Sequence, residues 1–364
     1  MKKTEKKLWK LWQKVLLVII LIPCVLVISY GLIVIYLSVT EYRPADQEKV
    51  EITGTADRTL TAGSALKVMT WNVGYGALGD NADFFMDGGS HVYTADRERV
   101  QENLAGIEKE IASVSPDVCF MQEVDRNSDR SRHIDEVQQI ADSASGYQST
   151  FAWNFRTEFI PYPWPPIGKV NGGILTLSAF GVSASQRLQL PCPFSWPVRL
   201  AQLKRCVMVD RVPVKGSDHE LVLVNLHLEA YDDGEGKKAQ TAILREILQK
   251  EADAGNYVIA GGDFNQTFSN TDISAYPAQE GKWHAGAIDT ADFGDSWQML
   301  MDSRTPSCRS LDQPYAGADT ENFQYYVIDG FIVSSNIQVD SCQTQSLSFR
   351  NTDHNPVVLD VTLK

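Results

Sequence analysis

The sequence predicts an α+β fold, a mixed α/β domain that follows one N-terminal transmembrane helix. Short apolar runs rich in β-branched residues outnumber the amphipathic helical patterns, and several neighbouring runs are joined by turns rather than by helices. A doubly wound parallel sheet needs a helix at each crossover, so this arrangement argues against a purely parallel sheet. The transmembrane helix is predicted from a long uncharged run at residues 15–37.

The run at residues 15–37 is predicted to be an uncleaved membrane anchor that crosses the cell membrane once. A helix needs about 20 apolar residues to cross the hydrocarbon core. A cleaved signal peptide is the alternative, but its apolar region is normally about 7–15 residues long and ends at a small-residue cleavage site. The segment Leu37-Ser38-Val39-Thr40 is a poor cleavage signal, so an anchor is favoured.

Lysines before this run predict its orientation. Glu5 opposes them, and the basic residues are Lys2, Lys3, Lys6, Lys7, Lys10 and Lys14. Because positively charged flanks stay in the cytoplasm, the N-terminus is expected there and the rest of the chain is expected to be extracellular.

Four segments are predicted: a cytoplasmic basic segment (1–14), the transmembrane helix (15–37), a polar tether (38–64) and one large outer domain (65–364). About 300 residues suffice for one large domain. The lysines and Glu5 give the N-terminal segment a net charge of +5, so the total of −13 leaves −18 for the rest. Such acidity argues against broad adhesion to nucleic acid, although a bound metal or a local basic groove would still permit a nuclease.

Three helices and a series of strands are predicted in the outer domain. Apolar residues from Val100 to Val114 recur at spacings of three and four, as in an amphipathic helix that ends before Pro116. The other helices are expected near 131–143 and 237–252. Strands are expected near 66–71, 117–121, 173–177, 206–214, 220–228, 257–260, 326–333 and 357–361.

The segment 151–170 is rich in prolines and aromatic residues and is predicted to be a long loop. Prolines argue against a regular helix or a central strand. The aromatic side chains fit either core filler beneath this loop or contacts with a lipid interface, where Trp and Tyr are favoured. Two further loops, at 83–89 and 230–234, carry acidic groups that either shape specificity or are solvated turns.

The outer cysteines leave two disulfides open. Cys119 lies within an apolar run and is predicted to be a buried free thiol. Cys192–Cys206 and Cys308–Cys342 are conceivable pairs outside the membrane, where disulfides persist, but sequence does not fix connectivity.

Polar side chains recur in or at the end of the apolar runs, and all could gather at one rim of a sheet structure. Hydrolysis of a phosphate ester requires a metal, an activated water, donors for the developing negative charge and a leaving-group acid. The segments that supply such groups are Trp71-Asn72, Gln122-Glu123, Asn225-Leu226-His227-Leu228, Gly261-Gly262-Asp263-Phe264-Asn265, Asp329-Gly330-Phe331 and Thr352-Asp353-His354-Asn355-Pro356.

In this order the segments resemble those of the endonuclease/exonuclease/phosphatase superfamily, the deoxyribonuclease-I-like metal-dependent phosphohydrolases. The resemblance covers the whole outer domain, and the chain looks like a membrane-anchored bacterial-type member. It implies a four-layer sandwich of two mixed β-sheets flanked by helices. It also implies a phosphate-ester substrate but leaves open whether that substrate is nucleic acid or a phospholipid headgroup.

The resemblance implies a role for each candidate residue. Glu123 would be the principal ligand of Mg²⁺ (Mn²⁺ is possible), because hard cations prefer oxygen ligands; Asn72 and Asp353 would lie on the metal side. Asp329 would orient His354, which acts on the attacking water, and His227 would be the leaving-group acid or a phosphate contact. The resemblance further implies that Asp263 contacts the water or a metal, that Asn265 contacts a phosphoryl oxygen and that Asn171 contacts the phosphate. Family members often carry an Arg directly after the serine that corresponds to Ser178, whereas this chain has Ala179 at that position.

Structural explanations compete with these roles residue by residue. Taken alone, Glu123 would be interpreted as an exposed residue at the end of a strand, and Asp353-His354 as a surface turn. His227 would be interpreted as a structural histidine whose hydrogen bonds are satisfied within an apolar strand. The alternative for the whole domain is a catalytically inactive binding or sensing module. Retention of the full polar set in one order favours an enzyme. No protein partner is inferred from the sequence.

Overall fold

The computed structural model describes residues 9–232 and 234–364. Within them the chain forms four α-helices: α1 (Leu11–Thr40), α2 (Arg97–Val114), α3 (Glu136–Ser143) and α4 (Glu235–Asp253). The same residues form nineteen strands: β1 (Gln47–Lys49), β2 (Ile52–Gly54), β3 (Leu60–Thr61), β4 (Ala65–Asn72), β5 (Val118–Asp125), β6 (Gln148–Ile160), β7 (Gly168–Ser178), β8 (Ala184–Gln189), β9 (Cys206–Lys215), β10 (Glu220–His227), β11 (Tyr257–Asp263), β12 (Gln266–Phe268), β13 (Gly286–Ile288), β14 (Trp297–Leu300), β15 (Cys308–Arg309), β16 (Tyr325–Tyr326), β17 (Asp329–Ser334), β18 (Ile337–Thr344) and β19 (Val357–Leu363). Residues 1–8 of the predicted cytoplasmic segment lie outside the described residues.

Two mixed sheets form the centre of the domain. The first has the strand order β1-β8-β9-β10-β11-β17-β14, with β3 beside β9, and the second has the order β18-β19-β4-β5-β7-β6-β2. A parallel pair lies in the middle of each sheet, β10 with β11 and β4 with β5. Most of the remaining neighbours are antiparallel, so the predicted mixture of strand directions is confirmed.

Each face of the two sheets packs against another layer. The inner faces meet in an apolar core that includes Phe120 from the second sheet and Ile259 from the first. Helices α2 and α3 cover the outer face of the second sheet through residues such as Leu104 and Ile140, and α4 covers the first sheet through Leu244. The order helix, sheet, sheet, helix confirms the predicted four-layer sandwich.

The two parallel pairs deliver polar residues to one rim of the sandwich. Strand β4 ends at Asn72, opposite Gln122 of β5, while β10 and β11 end together at His227 and Asp263. Asp329, the first residue of antiparallel β17, lies opposite Asp263. Because parallel strands end at the same edge of a sheet, residues far apart in sequence meet there.

The prediction of a long loop at 151–170 is wrong for residues 151–160 and 168–170, which belong to strands. Strand β6 extends to Ile160 and pairs antiparallel with β7. The prolines occupy positions 161–166, in the connection between the two strands, so they remove no hydrogen bond from the ladder. The predicted strand at 326–333 is likewise divided, because Tyr326 pairs with β15 whereas Asp329 begins the pairing with β11.

Helix α1 is long and apolar enough to cross a membrane, judged by length and composition. Its C-terminal end contacts the domain, and Leu37 is buried there. The segment predicted as a tether carries β1, β2 and β3, which pair with strands of the two sheets. The limits of the four predicted segments stay predictions.

Neither conceivable disulfide is formed. All six cysteines are free thiols in the described part of the chain, and Cys119 is buried as predicted. Cys206 and Cys308 are also buried, in separate apolar clusters. Sequence could not separate these arrangements, because the pairing of cysteines depends on the distance between their strands.

Thiol labelling tests this arrangement. Protein unfolded in denaturant without a reductant is expected to take up six equivalents of an alkylating agent, one for each cysteine. In the native state Cys206 is expected to react slowly, because burial raises the pKa of its thiol to about 11 and blocks access. Intact-mass spectrometry measures both results, and fewer than six labels after unfolding would contradict the free-thiol structure.

Candidate active site

Asp263 stands at the centre of the polar rim. Its Oδ2 atom accepts a hydrogen bond from Asn72 Nδ2 at 3.0 Å, and it lies 3.5 Å from His227 Nε2 and 3.9 Å from His354 Nε2. The side chain is almost completely buried. Burial, followed by the nearby Asp329 carboxylate, raises the pKa of Asp263 to about 7. One carboxylate oxygen therefore links three of the predicted site residues.

Asn72 connects Asp263 to Glu123. Its Nδ2 atom donates to both Glu123 Oε1 and Asp263 Oδ2 at 3.0 Å, while its Oδ1 atom accepts from the backbone N–H of Gly74 at 3.0 Å. The amide thus holds the two carboxylates together. This side-chain carbonyl oxygen, the atom expected to face a metal, therefore accepts a hydrogen bond within the turn after β4.

Asp329 and His354 form a buried pair. His354 Nδ1 lies 2.8 Å from Asp329 Oδ2, which orients the imidazole and directs its Nε2 atom toward Asp263. Burial alone would lower the pKa of His354, but the Asp329 carboxylate outweighs it and raises the pKa well above its ordinary value. The predicted orienting contact between these residues is present in the structure.

His227 has the opposite electrostatic environment. Burial, Arg205 and His354 together hold its pKa well below the ordinary value, so the ring is neutral. Its Nδ1 atom is buried without a hydrogen-bond partner among the described residues. The two imidazoles on either side of Asp263 therefore differ in basicity, with His354 the stronger base.

Glu123 reaches the rim through an irregular strand. Glu123 has a φ of 55°, in the left-handed region, and the pairing of β5 with β7 shifts register between Met121 and Val124. A β-bulge of this kind bends a strand and re-aims a side chain. Asn265, just after β11, also has a positive φ of 51°. Such conformations in non-glycine residues cluster at functional sites.

Carboxylates crowd the cavity beside Glu123. Burial and the charge of Glu123 raise the pKa of Asp353, and burial together with Asp353 and Glu123 raises the pKa of Asp87 to about 7. A divalent cation bound between these groups would relieve their repulsion, and oxygen ligands suit Mg²⁺. Glu123 and Asp353, with Asp87 near them, are therefore candidate oxygen ligands for a hard metal ion.

Two tighter groups of potential ligands share His354. They are Asp263, Asp329 and His354, and Cys308, Asp353 and His354; within each group the ligand atoms lie within 4.8 Å of one another. The first group is already joined by the hydrogen bond between Asp329 and His354. For a hard cation the oxygens of Glu123 and Asp353 are the better ligands, because a thiol favours softer metals.

Asn265 and Asn171 differ in position. Asn265 lines the cavity, and its Nδ2 atom donates to the carbonyl of Leu228 at 2.8 Å, which leaves a second amide hydrogen for another acceptor. Asn171 does not line this cavity with the other candidates, although its neighbour Gly172 does. Its Oδ1 atom is buried without a partner among the described residues.

Sequence reasoning missed Arg130, a largely but not fully buried arginine beside the site. Arg130 binds Asp125 through Nε and Nη2, both at 3.0 Å, and lies 3.8 Å from the ring centre of Tyr75. Glu136 is fully buried next to Asp125, and its Oε2 atom accepts a hydrogen bond from the backbone N–H of Asp125. Arg130 lies in the loop after β5. Its only sequence signal was its position shortly after Gln122-Glu123 in the chain.

Removal of this arginine is expected to destabilise the fold. Arg130→Met leaves the buried carboxylate of Asp125 without its cation, which lowers the free energy of unfolding by about 3–5 kcal/mol. Arg350→Met is the matched control, because its pair with Glu102 is exposed and spans 3.9 Å; its effect is expected to stay below about 1 kcal/mol. Urea unfolding measures both, and equal effects would contradict the structural role of Arg130.

Six of the nine candidate residues open onto a cavity of about 640 Å³. Its walls include Glu123, His227, Asp263, Asn265, Asp353 and His354. Cavities of this size hold small organic ligands. Carboxylates that could bind a metal, an imidazole held by a carboxylate and amide donors around such a cavity match the groups that hydrolysis of a phosphoric ester requires. The fold and site define a phosphoester hydrolase.

Comparison with known proteins places the chain in a family. Residues 69–348 match the Endonuclease/Exonuclease/phosphatase family. The chain belongs to this family, and the predicted superfamily resemblance and enzyme class are confirmed. No curated protein matches the chain.

Solved structures share the fold at low sequence identity. An endonuclease/exonuclease/phosphatase from Beutenbergia cavernae superposes with a TM-score of 0.54 at 18% identity, covering 82% of this chain and 72% of that one. The human Nocturnin catalytic domain with bound sulfate gives 0.51 at 19%, covering 86% and 98%. ANGEL2, a 2′,3′-cyclic phosphatase, gives 0.53 at 15%, covering 87% and 98%.

Proposed function

We propose that this protein is a membrane-anchored, outward-facing, Mg²⁺-dependent phosphodiesterase in which water attacks a phosphate ester. The observation that carries the proposal is the position of Asp263 Oδ2, within 3.9 Å of a nitrogen atom of Asn72, His227 and His354. Separate strands and a C-terminal turn supply these groups, so their convergence is a property of the fold rather than of one local motif.

Glu123 and Asp353 would hold the cation, with Asp87 near them. A bound Mg²⁺ supplies a Lewis acid that neutralises charge on a phosphoryl oxygen. Asn72 holds Glu123 and Asp263 next to each other by donating a hydrogen bond to both. The carboxylates also make the site negative, so a bound cation is expected to strengthen the binding of an anionic phosphate.

The remaining residues divide the proton transfers. The attacking water forms a bond to phosphorus and gives a proton to Nε2 of His354 in its neutral form, the only form of the ring that can accept one. The ester bond to the leaving alcohol breaks, the alcohol oxygen takes up a proton from solvent, and His354 returns its extra proton to solvent. Asn265 donates its second amide hydrogen to a phosphoryl oxygen, and neutral His227 binds another through Nε2. The products are a phosphate monoester and an alcohol.

Hydrolysis of a generic substrate tests the reaction. The purified protein is expected to hydrolyse bis-p-nitrophenyl phosphate in Mg²⁺ or Mn²⁺ and to lose activity in EDTA, with recovery when Mg²⁺ is restored in excess. The release of p-nitrophenol measures the rate. Absence of hydrolysis with either metal, in protein that is folded, would overturn the proposal and favour an inactive binding or sensing module.

Protease protection tests the orientation. A protease added to intact cells is expected to release the part of the chain that follows α1, because the N-terminal lysines favour a cytoplasmic N-terminus. Immunoblotting with an antibody against the C-terminus detects the fragment. Full protection of the domain in intact cells, with digestion after lysis, would overturn the outward placement.

A further inference from the structure

The cavity at the active site continues to the N-terminal helix. Its far wall is formed by Tyr30, Ile33, Val34 and Leu37 of α1, whereas its near wall carries Glu123 and His354. Positions that are three and four residues apart lie on one face of a helix. One apolar stripe of the proposed membrane anchor therefore faces the catalytic centre.

Polar contacts fix the end of α1 against the domain. Ser38 Oγ accepts a hydrogen bond from Trp196 Nε1 at 3.2 Å. Glu41, just beyond the helix, lies 3.3 Å from Arg199 and 3.4 Å from Lys204. These contacts follow directly after the apolar stripe, so the helix and the catalytic domain together enclose the cavity.

The stripe lies at the level of a membrane leaflet if α1 spans the bilayer. At 1.5 Å per residue, the uncharged run 15–37 is about 34 Å long, close to the hydrocarbon thickness of about 30 Å. Tyr30 to Leu37 form the last two turns of this run. The cavity would then open near the acyl chains and headgroups of the outer leaflet.

Exposed aromatic residues surround the same opening. Trp164 is 90% exposed, Tyr162 is 70% exposed and Trp196 is 56% exposed. Tyr162 lines the cavity, and Trp196 contacts α1. Large exposed aromatic side chains next to a membrane helix are typical of the headgroup region. This continuity with α1 favours the lipid-interface interpretation of these aromatics.

We infer that the cavity binds a phospholipid of the outer leaflet, with an acyl chain against the α1 stripe and its phosphodiester at Glu123 and His354. The inference rests on the proposed function, because it requires α1 to span the membrane. Nucleic acid has no acyl chain that could pack against this apolar wall. Its binding depends instead on Lys and Arg contacts to phosphates. The net charge of −13 opposes that mode of binding.

A matched pair of variants tests the lipid-binding wall in the full chain. Ile33 faces the cavity, whereas Ile35 is 62% exposed on the same helix. The proteins are placed in vesicles of phosphatidylethanolamine and phosphatidylglycerol, and products are quantified by mass spectrometry. The rate on lipid is divided by the rate on bis-p-nitrophenyl phosphate.

Ile33→Trp is expected to lower this ratio by about tenfold or more, because the larger side chain fills the space of an acyl chain. Ile35→Trp is expected to leave the ratio unchanged. Should Ile33→Trp fail to fold, Val34→Phe and Val27→Phe provide a second pair, since Val34 lines the cavity and Val27 is exposed. Equal ratios within a folded pair would overturn the inference, as would faster hydrolysis of an oligonucleotide that is unaffected by Ile33→Trp.

Photo-crosslinking separates this inference from the proposed reaction. A phosphatidylcholine with a photoactivatable acyl chain, in vesicles that contain EDTA, is expected to label the cavity segments 160–167 and 197–203. This result supports lipid binding even if bis-p-nitrophenyl phosphate is not hydrolysed. Labels confined to the outward face of α1 would overturn it, even if that substrate is hydrolysed normally.

Discussion

Replacement of His354 by alanine is expected to lower kcat/KM for bis-p-nitrophenyl phosphate by about 10²–10⁴-fold, the usual contribution of a general base. The ring is held by Asp329 at 2.8 Å and is the more basic of the two site imidazoles. Its removal leaves the carboxylates in place, so metal affinity is expected to change little. Steady-state kinetics in saturating Mg²⁺ measure the effect.

A surface histidine provides the control for this variant. His219→Ala, at an exposed position between β9 and β10, is expected to retain the wild-type kcat/KM. Asp329→Asn is expected to show a smaller loss than His354→Ala, because the ring is kept while its orientation and basicity are weakened. Wild-type activity in His354→Ala would contradict the assigned role.

Replacement of Glu123 by glutamine is expected to lower the activity by about 10³-fold and to weaken Mn²⁺ binding. The change preserves shape but deletes a negative charge, and a metal bound to a phosphoryl oxygen contributes several kcal/mol to the transition state. Because Asp87 and Asp353 are both repelled by Glu123, the free energy of unfolding in EDTA is not expected to fall. Isothermal titration calorimetry with Mn²⁺ and denaturant unfolding measure the two effects.

Glu246→Gln is the matched control for Glu123→Gln. Glu246 is exposed in α4, away from the rim, and its replacement is expected to change neither activity nor Mn²⁺ affinity. Unchanged Mn²⁺ affinity in Glu123→Gln would show that the metal binds elsewhere, for example at one of the groups that share His354.

The sequence predicted the sheet core and most of the rim because both depend on local patterns. Apolar runs locate the strands, and a polar residue at the end of a buried parallel strand lies at a defined edge of the sheet. Asp263 and His227 are examples, since β11 and β10 end together. The contact between Asp329 and His354 followed from the superfamily resemblance rather than from spacing, because it joins two different strand ends.

Contacts between loops could not be predicted in this way. Asp87 enters the carboxylate cluster from a loop, and Arg130 binds Asp125 across a turn; neither side chain has a periodic pattern around it. Asn171 shows the reverse case, since its local motif was apparent but its side chain does not line the cavity, and its phosphate contact stays a prediction. The docking of α1 depends on Trp196 and Glu41, two residues without sequence signals of their own.

Diffraction from crystals soaked in Mn²⁺ tests the central claim most directly, because anomalous scattering locates the ion without assumptions about activity. The arrangement of the rim predicts one strong peak bound by carboxylate oxygens of Glu123 and Asp353, near the cavity face of Asp263. A peak coordinated by other residues, with Glu123 and Asp353 unbound at saturating Mn²⁺, would contradict it.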